Sequence, residues 1–171
     1  MDFKEINYLL ESSSKITYPE ITDIKKDYKL GQNMYDSFAG RHGELTAISQ
    51  YIYEHITTEE NKELSSVLLH IAIQEMHHLD MLGALLVNLG FVPYFMGKHN
   101  NKWCSDNVTY RYDGLEEMLK INIKSEEIAI KEYKRLIEMT DDDKVKMILS
   151  RIIMDEEMHI KVFSGLLEIC K

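Results

Sequence analysis

Cysteine, proline and glycine are all scarce in this chain of 171 residues, numbering two, two and eight. The two cysteines, Cys104 and Cys170, lie far apart and form no CxxC pair. That excludes a zinc ribbon, a rubredoxin-type iron site and a disulfide framework. So few prolines and glycines leave room for long helices, because these are the residues that interrupt them. Basic residues are outnumbered, 20 Lys and Arg against 29 Asp and Glu, for a net charge of −9. A nucleic acid or an anionic membrane needs a basic face, so neither is expected as a partner. No apolar run approaches the roughly 18–20 residues of a transmembrane helix. The opening "MDFKEINYLLESSS" has neither the basic start nor the apolar centre of a signal peptide. A cytoplasmic protein is expected, folded as one domain.

What is present is helical periodicity. Residues 1–32 show no clean period, and Pro19 restricts Tyr18 before it. They read as an irregular N-terminal segment packed on a bundle formed by residues 33–171. From about Asn33, Phe38, Leu45, Ile48, Ile52 and Ile56 recur at spacings that fit one helix face. Thr57 and Glu60 stand at capping-box spacing before a second helix carrying Leu64, Leu68, Ile71, Leu82, Leu85 and Leu86. That helix stops near Gly90 and Pro93. Residues Phe91 to Gly114 form one long connection. A third helix follows from Leu115, with Leu119, Ile123, Ile130, Tyr133 and Ile137. A fourth follows a turn in which Thr140 and Asp143 repeat the capping spacing.

The connection lengths select the topology. Short turns make helices one and two, and helices three and four, antiparallel hairpins. The second helix, about 28 residues, spans roughly 42 Å. A crossover of about 24 residues can run back along it at up to roughly 3.3 Å per residue. Helices two and three are then parallel. The expected fold is all-α: a ferritin-like four-helix bundle of two antiparallel hairpins, with one long crossover between helices two and three.

Each hairpin contains the same two phrases. "ELTAISQY" (Glu44 to Tyr51) and "EEIAIKEY" (Glu126 to Tyr133) both fit E-x-x-A-I-x-x-Y. "EMHH" (Glu75 to His78) and "EEMH" (Glu156 to His159) both fit E-x-x-H, and a Leu-Leu pair follows each at the same distance. The halves read as an internal duplication. Glu44 and Glu75 are equidistant from the first turn, and Glu126 and Glu156 from the second, so each hairpin sets its glutamates at one height. The phase agrees. Glu75 and His78 share a face with Ile71, Leu82 and Leu85. Glu126 shares one with Leu119, Ile130 and Tyr133, and Glu156 and His159 share one with Ile152, Ile153 and Phe163. His77 is turned about 100° away from His78, toward the surface or a subunit contact, with His70 and Gln74 on its side.

Four glutamates and two histidines therefore converge in an apolar bundle. Unpaired buried charges cost several kcal/mol each, and four adjacent carboxylates repel and take up protons. Two divalent cations would balance their charge. One Glu from each of two helices plus Glu-x-x-His from each of the other two is the dinuclear carboxylate pattern of helix bundles. The expected metal ligands are Glu44, Glu75, His78, Glu126, Glu156 and His159, holding two divalent ions. The donors suit iron or manganese, without choosing between them. Tyr51 and Tyr133 are expected to offer a hydrogen bond or an electron near the site. Asp155 and Gln74, each just before a ligand glutamate, are candidates to orient a histidine. Gln74 equally fits a surface role. Gly40, Gly43 and Ala47 are read as one turn apart on a helix beside Glu44, allowing either close helix approach or a path for substrate.

The stretches "GRHGELTAISQY", "IAIQEMHHLDML" and "SEEIAIKEY…DEEMH" resemble the rubrerythrin and manganese-catalase branch of the ferritin-like superfamily, over about Ala39 to Leu167. The "GELTA" opening and the "QEMHHLDM" helix look most like manganese catalases and the spore-coat proteins similar to them. The six ligand candidates match that branch's metal positions. In manganese catalases the fourth-helix glutamate can stand off from the metals, which leaves Glu156 as a ligand or a near neighbour. Rubrerythrins usually carry a further ligand glutamate where this chain has Ala129, and often a rubredoxin domain that is missing here. Manganese catalases are longer. The resemblance implies a peroxide-detoxifying oxidoreductase, catalase- or peroxidase-like, acting on hydrogen peroxide or dioxygen. A ferroxidase, or a structural spore-coat-like component stabilised by its metals, is the alternative. A homo-oligomer is expected, and the spore-coat likeness adds a spore-associated location to the cytoplasmic one.

Overall fold

The computed structural model describes residues 1–169. Cys170 and the last residue of the bundle range lie outside them, and Cys104 is a free, exposed thiol. Six α-helices are present among the described residues: α1 (Phe3–Ser14), α2 (Tyr28–Ala39), α3 (Glu44–Thr57), α4 (Lys62–Leu89), α5 (Leu115–Glu138) and α6 (Asp143–Ile169). Helices α3 and α4 form one hairpin, and α5 and α6 the other. Residues 90–114 cross between them with a single 3₁₀ turn at Ser105–Asn107.

The long helices begin and end for local reasons. Asn61 caps α4 by accepting from the Leu64 backbone N–H at 3.2 Å, and Thr57 is instead the last residue of α3. Gly90 closes α4 at φ 97°, a left-handed conformation that glycine adopts without strain. Asp142 accepts from the backbone of Lys144 and Val145 at the start of α6, and its own N–H is received by Thr140 Oγ1.

Two departures from the sequence reading matter. The first concerns residues 1–32, expected to be irregular. They contain α1, which starts on an Asp2–Glu5 capping box and buries Ile6, Leu10 and Ser13. They also contain the first turn of α2, capped by Asp27. Helix α1 lies on α6 and α4. The second is a break in the first bundle helix. Gly40 and Gly43 are not in a helix; they flank the break between α2 and α3. A Cβ on Gly43 would stand 2.5 Å from the Asp36 carbonyl oxygen and 2.6 Å from that of Ser37. Thr46 Oγ1 donates to the Gly40 carbonyl at 2.9 Å and receives the Trp103 indole N–H at 3.0 Å, which ties the break to the crossover.

The break fixes where the bundle turns polar. One apolar cluster gathers α2, the C-terminal halves of α4 and α5 and the N-terminal half of α6, around Met34, Phe38, Leu82, Leu85, Leu136 and Leu149. The other gathers α1, α3 and the opposite ends of the long helices, around Ile6, Leu10, Leu68, Leu119, Phe163 and Leu166. The acids and histidines lie between the two.

Replacing Gly43 by alanine is expected to destabilise the fold by about 1–3 kcal/mol, the usual cost of forcing atoms into filled space. A thermal melt should show the midpoint fall by roughly 2–4 °C per kcal/mol. An unchanged midpoint would mean that the α2–α3 corner tolerates a side chain.

Candidate metal centre

Glu44, Glu75, His78, Glu126, Glu156 and His159 are all buried, none more than 3% exposed. They come from α3, α4, α5 and α6 at one level. Their donor atoms form two overlapping groups. Glu44, Glu75, His78 and Glu156 offer atoms within 4.8 Å of one another, and so do Glu75, Glu126, Glu156 and His159. Glu75 and Glu156 belong to both.

The histidines have a directed geometry. His78 Nδ1 lies 2.7 Å from Glu75 Oε2, 3.3 Å from Glu156 Oε1 and 3.8 Å from Glu44 Oε2. His159 Nδ1 lies 2.9 Å from Glu156 Oε2, 3.1 Å from Glu75 Oε1 and 3.6 Å from Glu126 Oε1. The other ring nitrogens face acceptors. His78 Nε2 is 3.1 Å from Asp155 Oδ2, and His159 Nε2 is 3.2 Å from Gln74 Oε1. A carboxylate and an amide oxygen each call for an Nε2–H donor. Each imidazole then turns its Nδ1 toward the carboxylates, as a lone pair when neutral and as an N–H donor when protonated.

The bracing crosses from one half to the other. Asp155, before the glutamate of α6, faces the histidine of α4, and Gln74, before the glutamate of α4, faces the histidine of α6. The tyrosines do the same. Tyr51 of α3 donates to Glu126 of α5 at 2.5 Å, and Tyr133 of α5 donates to Glu44 of α3. Gln74 is therefore buried and directed inward, away from His77, which is exposed.

The electrostatics without a cation are those of a crowded anionic site. Burial, then Glu75 and Glu156, raise the Glu44 carboxyl well above its usual range. Burial, then the same two neighbours, push Glu126 up to about 8. Burial opposes the charged form of both histidines. Glu156 and Glu75 outweigh it at His78, and Glu75 with hydrogen bonds to Glu126 and Glu156 outweighs it at His159, so both stand well above ordinary histidine. Burial also disfavours the Glu75 carboxylate, but His159 and His78 prevail and hold it below its usual range.

A cavity of about 110 Å³ reaches this level. Glu44, Glu126, Glu156 and Tyr51 form its inner wall, and the exposed Arg41 and His42 of the α2–α3 break border it. It is well below the roughly 300–1,000 Å³ of sites for larger ligands. Ala129 lies on its wall, so the small side chain leaves open the place where the resemblance would put another glutamate.

One buried acid escaped the sequence reading. Glu54 is fully buried and accepts from Tyr112 Oη at 2.5 Å, Asn122 Nδ2 at 2.5 Å and Gln50 Nε2 at 3.0 Å. Burial outweighs these donors and pushes its carboxyl up to about 7. The signal was Glu44, Tyr51 and Glu54 at helical spacing on one face of α3. The isoleucines of that helix drew the stripe elsewhere, yet Ile56 is 63% exposed.

These shifts give the metal-free protein a sign. Glu54 and Glu126 are raised from 4.5 to about 7 and about 8, so the folded chain binds more protons than the unfolded chain across that interval. The raised histidines add to this above 6.5. The depressed Glu75 and Asp155 contribute stability that is already complete by pH 5, so they add no slope above it. The metal-free melting temperature should therefore fall steadily from pH 5 to pH 8. Glu54→Gln should flatten part of that slope, and a midpoint that rises with pH would contradict the assignment of these carboxyls.

Comparison with known proteins agrees with this architecture. The ferritin-like domain family matches residues 41–171. The manganese catalase of Bacillus subtilis is 20% identical over 184 aligned positions, covering 88% of this chain and 67% of that protein. The crystal structure of KatB, a manganese catalase from Anabaena, superposes with a TM-score of 0.83 at 24% identity, covering 91% of this chain and 78% of that one. A Rhodobacter capsulatus bacterioferritin, whose structure has a metal-free dinuclear site and a haem iron, gives a TM-score of 0.69 at 25% identity, over 85% of this chain and 88% of that one. Among the described residues no helix is long and apolar enough to cross a membrane. With its bundle, its crossover and its matched hairpins, the chain belongs to the ferritin-like family.

Proposed function

We propose that the chain holds two divalent cations, manganese or iron, and uses them to dismutate hydrogen peroxide. The observation that carries this reading is the orientation of the two imidazoles. Each Nδ1 faces carboxylate oxygens inside an apolar bundle, so the metal-free site needs protons there to offset its charge, and a cation would take the place of those protons. Glu75 Oε1 supports it, being buried with no hydrogen-bond partner although it lies 3.1 Å from His159 Nδ1. The donor set fits: four carboxylates balance two divalent charges, and carboxylate with imidazole suits manganese or iron. Glu44, Glu75, His78 and Glu156 would hold one ion, and Glu75, Glu126, Glu156 and His159 the other.

Such a pair supplies two one-electron redox couples, enough for the two electrons exchanged with each peroxide. The chain supplies the rest. Tyr51 and Tyr133 fix Glu126 and Glu44 through their hydroxyls. Asp155 and Gln74 fix the histidine tautomers. The apolar clusters on either side exclude bulk water. The cavity admits a molecule of peroxide's size to the level of Glu44 and Glu126. Two peroxides then yield one dioxygen and two waters.

Similarity to manganese catalases at 20% and 24% identity supports this reading. One observation favours a ferroxidase instead: Glu156 belongs to both donor groups, whereas the fourth-helix glutamate of manganese catalases can stand off. Metal analysis and an oxygen electrode distinguish the two. The purified protein should carry two manganese or iron ions per chain and release one dioxygen for every two peroxides. Consumption of Fe(II) and dioxygen without dioxygen release from peroxide would favour the ferroxidase. Glu75→Ala should lower bound metal and melting temperature together, whereas His77→Ala should keep wild-type metal content. Full metal content in Glu75→Ala would sink the ligand assignment.

A further inference from the structure

The outer supports of the two histidines are unequal. His159 Nε2 faces the neutral amide oxygen of Gln74, whose own Nε2 is buried without a partner. His78 Nε2 faces a carboxylate, Asp155, and that carboxylate is held from several directions. Tyr18 Oη donates to Asp155 Oδ2 at 2.7 Å, and Arg151 Nη1 lies 2.6 Å from the same oxygen. Ser13 Oγ donates to Oδ1. The Arg151 guanidinium is stacked 4.2 Å over the Tyr18 ring, and its Nη2 donates to the carbonyls of Ser13 and Ile16 at 3.2 and 3.1 Å. Arg151 and Asp155 are themselves buried, at 5% and 0% exposure.

Ser13, Ile16 and Tyr18 all precede residue 41, where the ferritin-like match begins. The segment before the family domain thus donates hydrogen bonds to the acceptor of one histidine, whereas Gln74 Nε2, on the acceptor of the other, is buried without a partner. A carboxylate acceptor makes an imidazole a more basic ligand than an amide does, and such outer partners are worth about 10–100-fold in metal affinity. An acceptor acts this way only while it is held in place. Without the Ser13 and Tyr18 hydroxyls, Asp155 keeps only Arg151 and His78, and Arg151 sits on its own helix one turn away.

We propose that Ser13 and Tyr18 are positioning residues for the His78 side of the centre, and that through Asp155 they make that side the tighter of two unequal metal positions. This rests on the metal-binding reading above. Their role is to fix a hydrogen-bond acceptor, so they touch neither metal nor substrate.

The test is an equilibrium titration of metal-free full-length protein with Mn(II), following the free aqueous ion by electron paramagnetic resonance. Wild type should fill in two steps of different affinity. Tyr18→Phe keeps the ring over Arg151 and removes only the hydroxyl. It and the Ser13→Ala/Tyr18→Phe double variant should weaken the tighter step, the double variant by about tenfold, and leave the other within about twofold. The step weakened should be the one missing from His78→Ala and present in His159→Ala. A general loss of packing would lower both steps together, and that result, or no change in either, would overturn the proposal while leaving the metal reading intact. Weakening of the step missing from His159→Ala would overturn it as well. A wild-type protein that takes up neither Mn(II) nor Fe(II) would remove the metal reading and this inference with it.

Discussion

Four carboxylates face the Nδ1 atoms of two imidazoles in the middle of an apolar bundle, and the rest of the structure is arranged around that contact. Among the described residues the four glutamates pair with the two histidines and with no lysine or arginine. Arg151, the buried cation nearby, is engaged with Asp155 on the outer side of His78. The acids lie between two apolar clusters, so the cost of their burial falls on the level where the helices must stay in register. Two divalent ions would turn that cost into a cross-link joining all four bundle helices.

The duplication explains how so crowded a site can be ordered. Every support crosses from one half to the other: Tyr51 to Glu126, Tyr133 to Glu44, Asp155 to His78 and Gln74 to His159. Neither hairpin completes a donor group alone, since each group takes atoms from both. The corner at Gly40–Gly43 serves the same end. It lets α2 cover one end of the bundle while α3 starts afresh at Glu44, where the positive end of a helix meets a carboxylate. The same corner borders the cavity that leads inward.

The bundle and the six ligand candidates were legible because the chain states them twice. A lone Glu-x-x-His is ordinary on a solvated helix, but two at matched height and phase are not. The α2–α3 corner was less legible. Gly40 and Gly43 fit a helix of close approach as well as a break, and only the backbone of Asp36 and Ser37 decides between them. The core face of α3 was legible only in part because it is polar: Glu44 and Tyr51 point inward as expected, but Glu54 joins them and Ile56 lies in solvent. Helix α1 had a usable signal in Asp2, Glu5, Ile6 and Leu10, but one amphipathic helix of 12 residues is weak beside the long repeats. The reach of Ser13 and Tyr18 to Asp155, more than 130 residues away in sequence, has no local signature at all.

The central claim is that this cluster is a two-metal site, and diffraction at a metal absorption edge tests it most directly. Crystals of the protein grown with manganese or iron should show two anomalous peaks inside the bundle, one beside His78 Nδ1 and one beside His159 Nδ1, with Glu75 and Glu156 between them. An ordered bundle with no internal peak, or with metal only at surface carboxylates, would contradict the account.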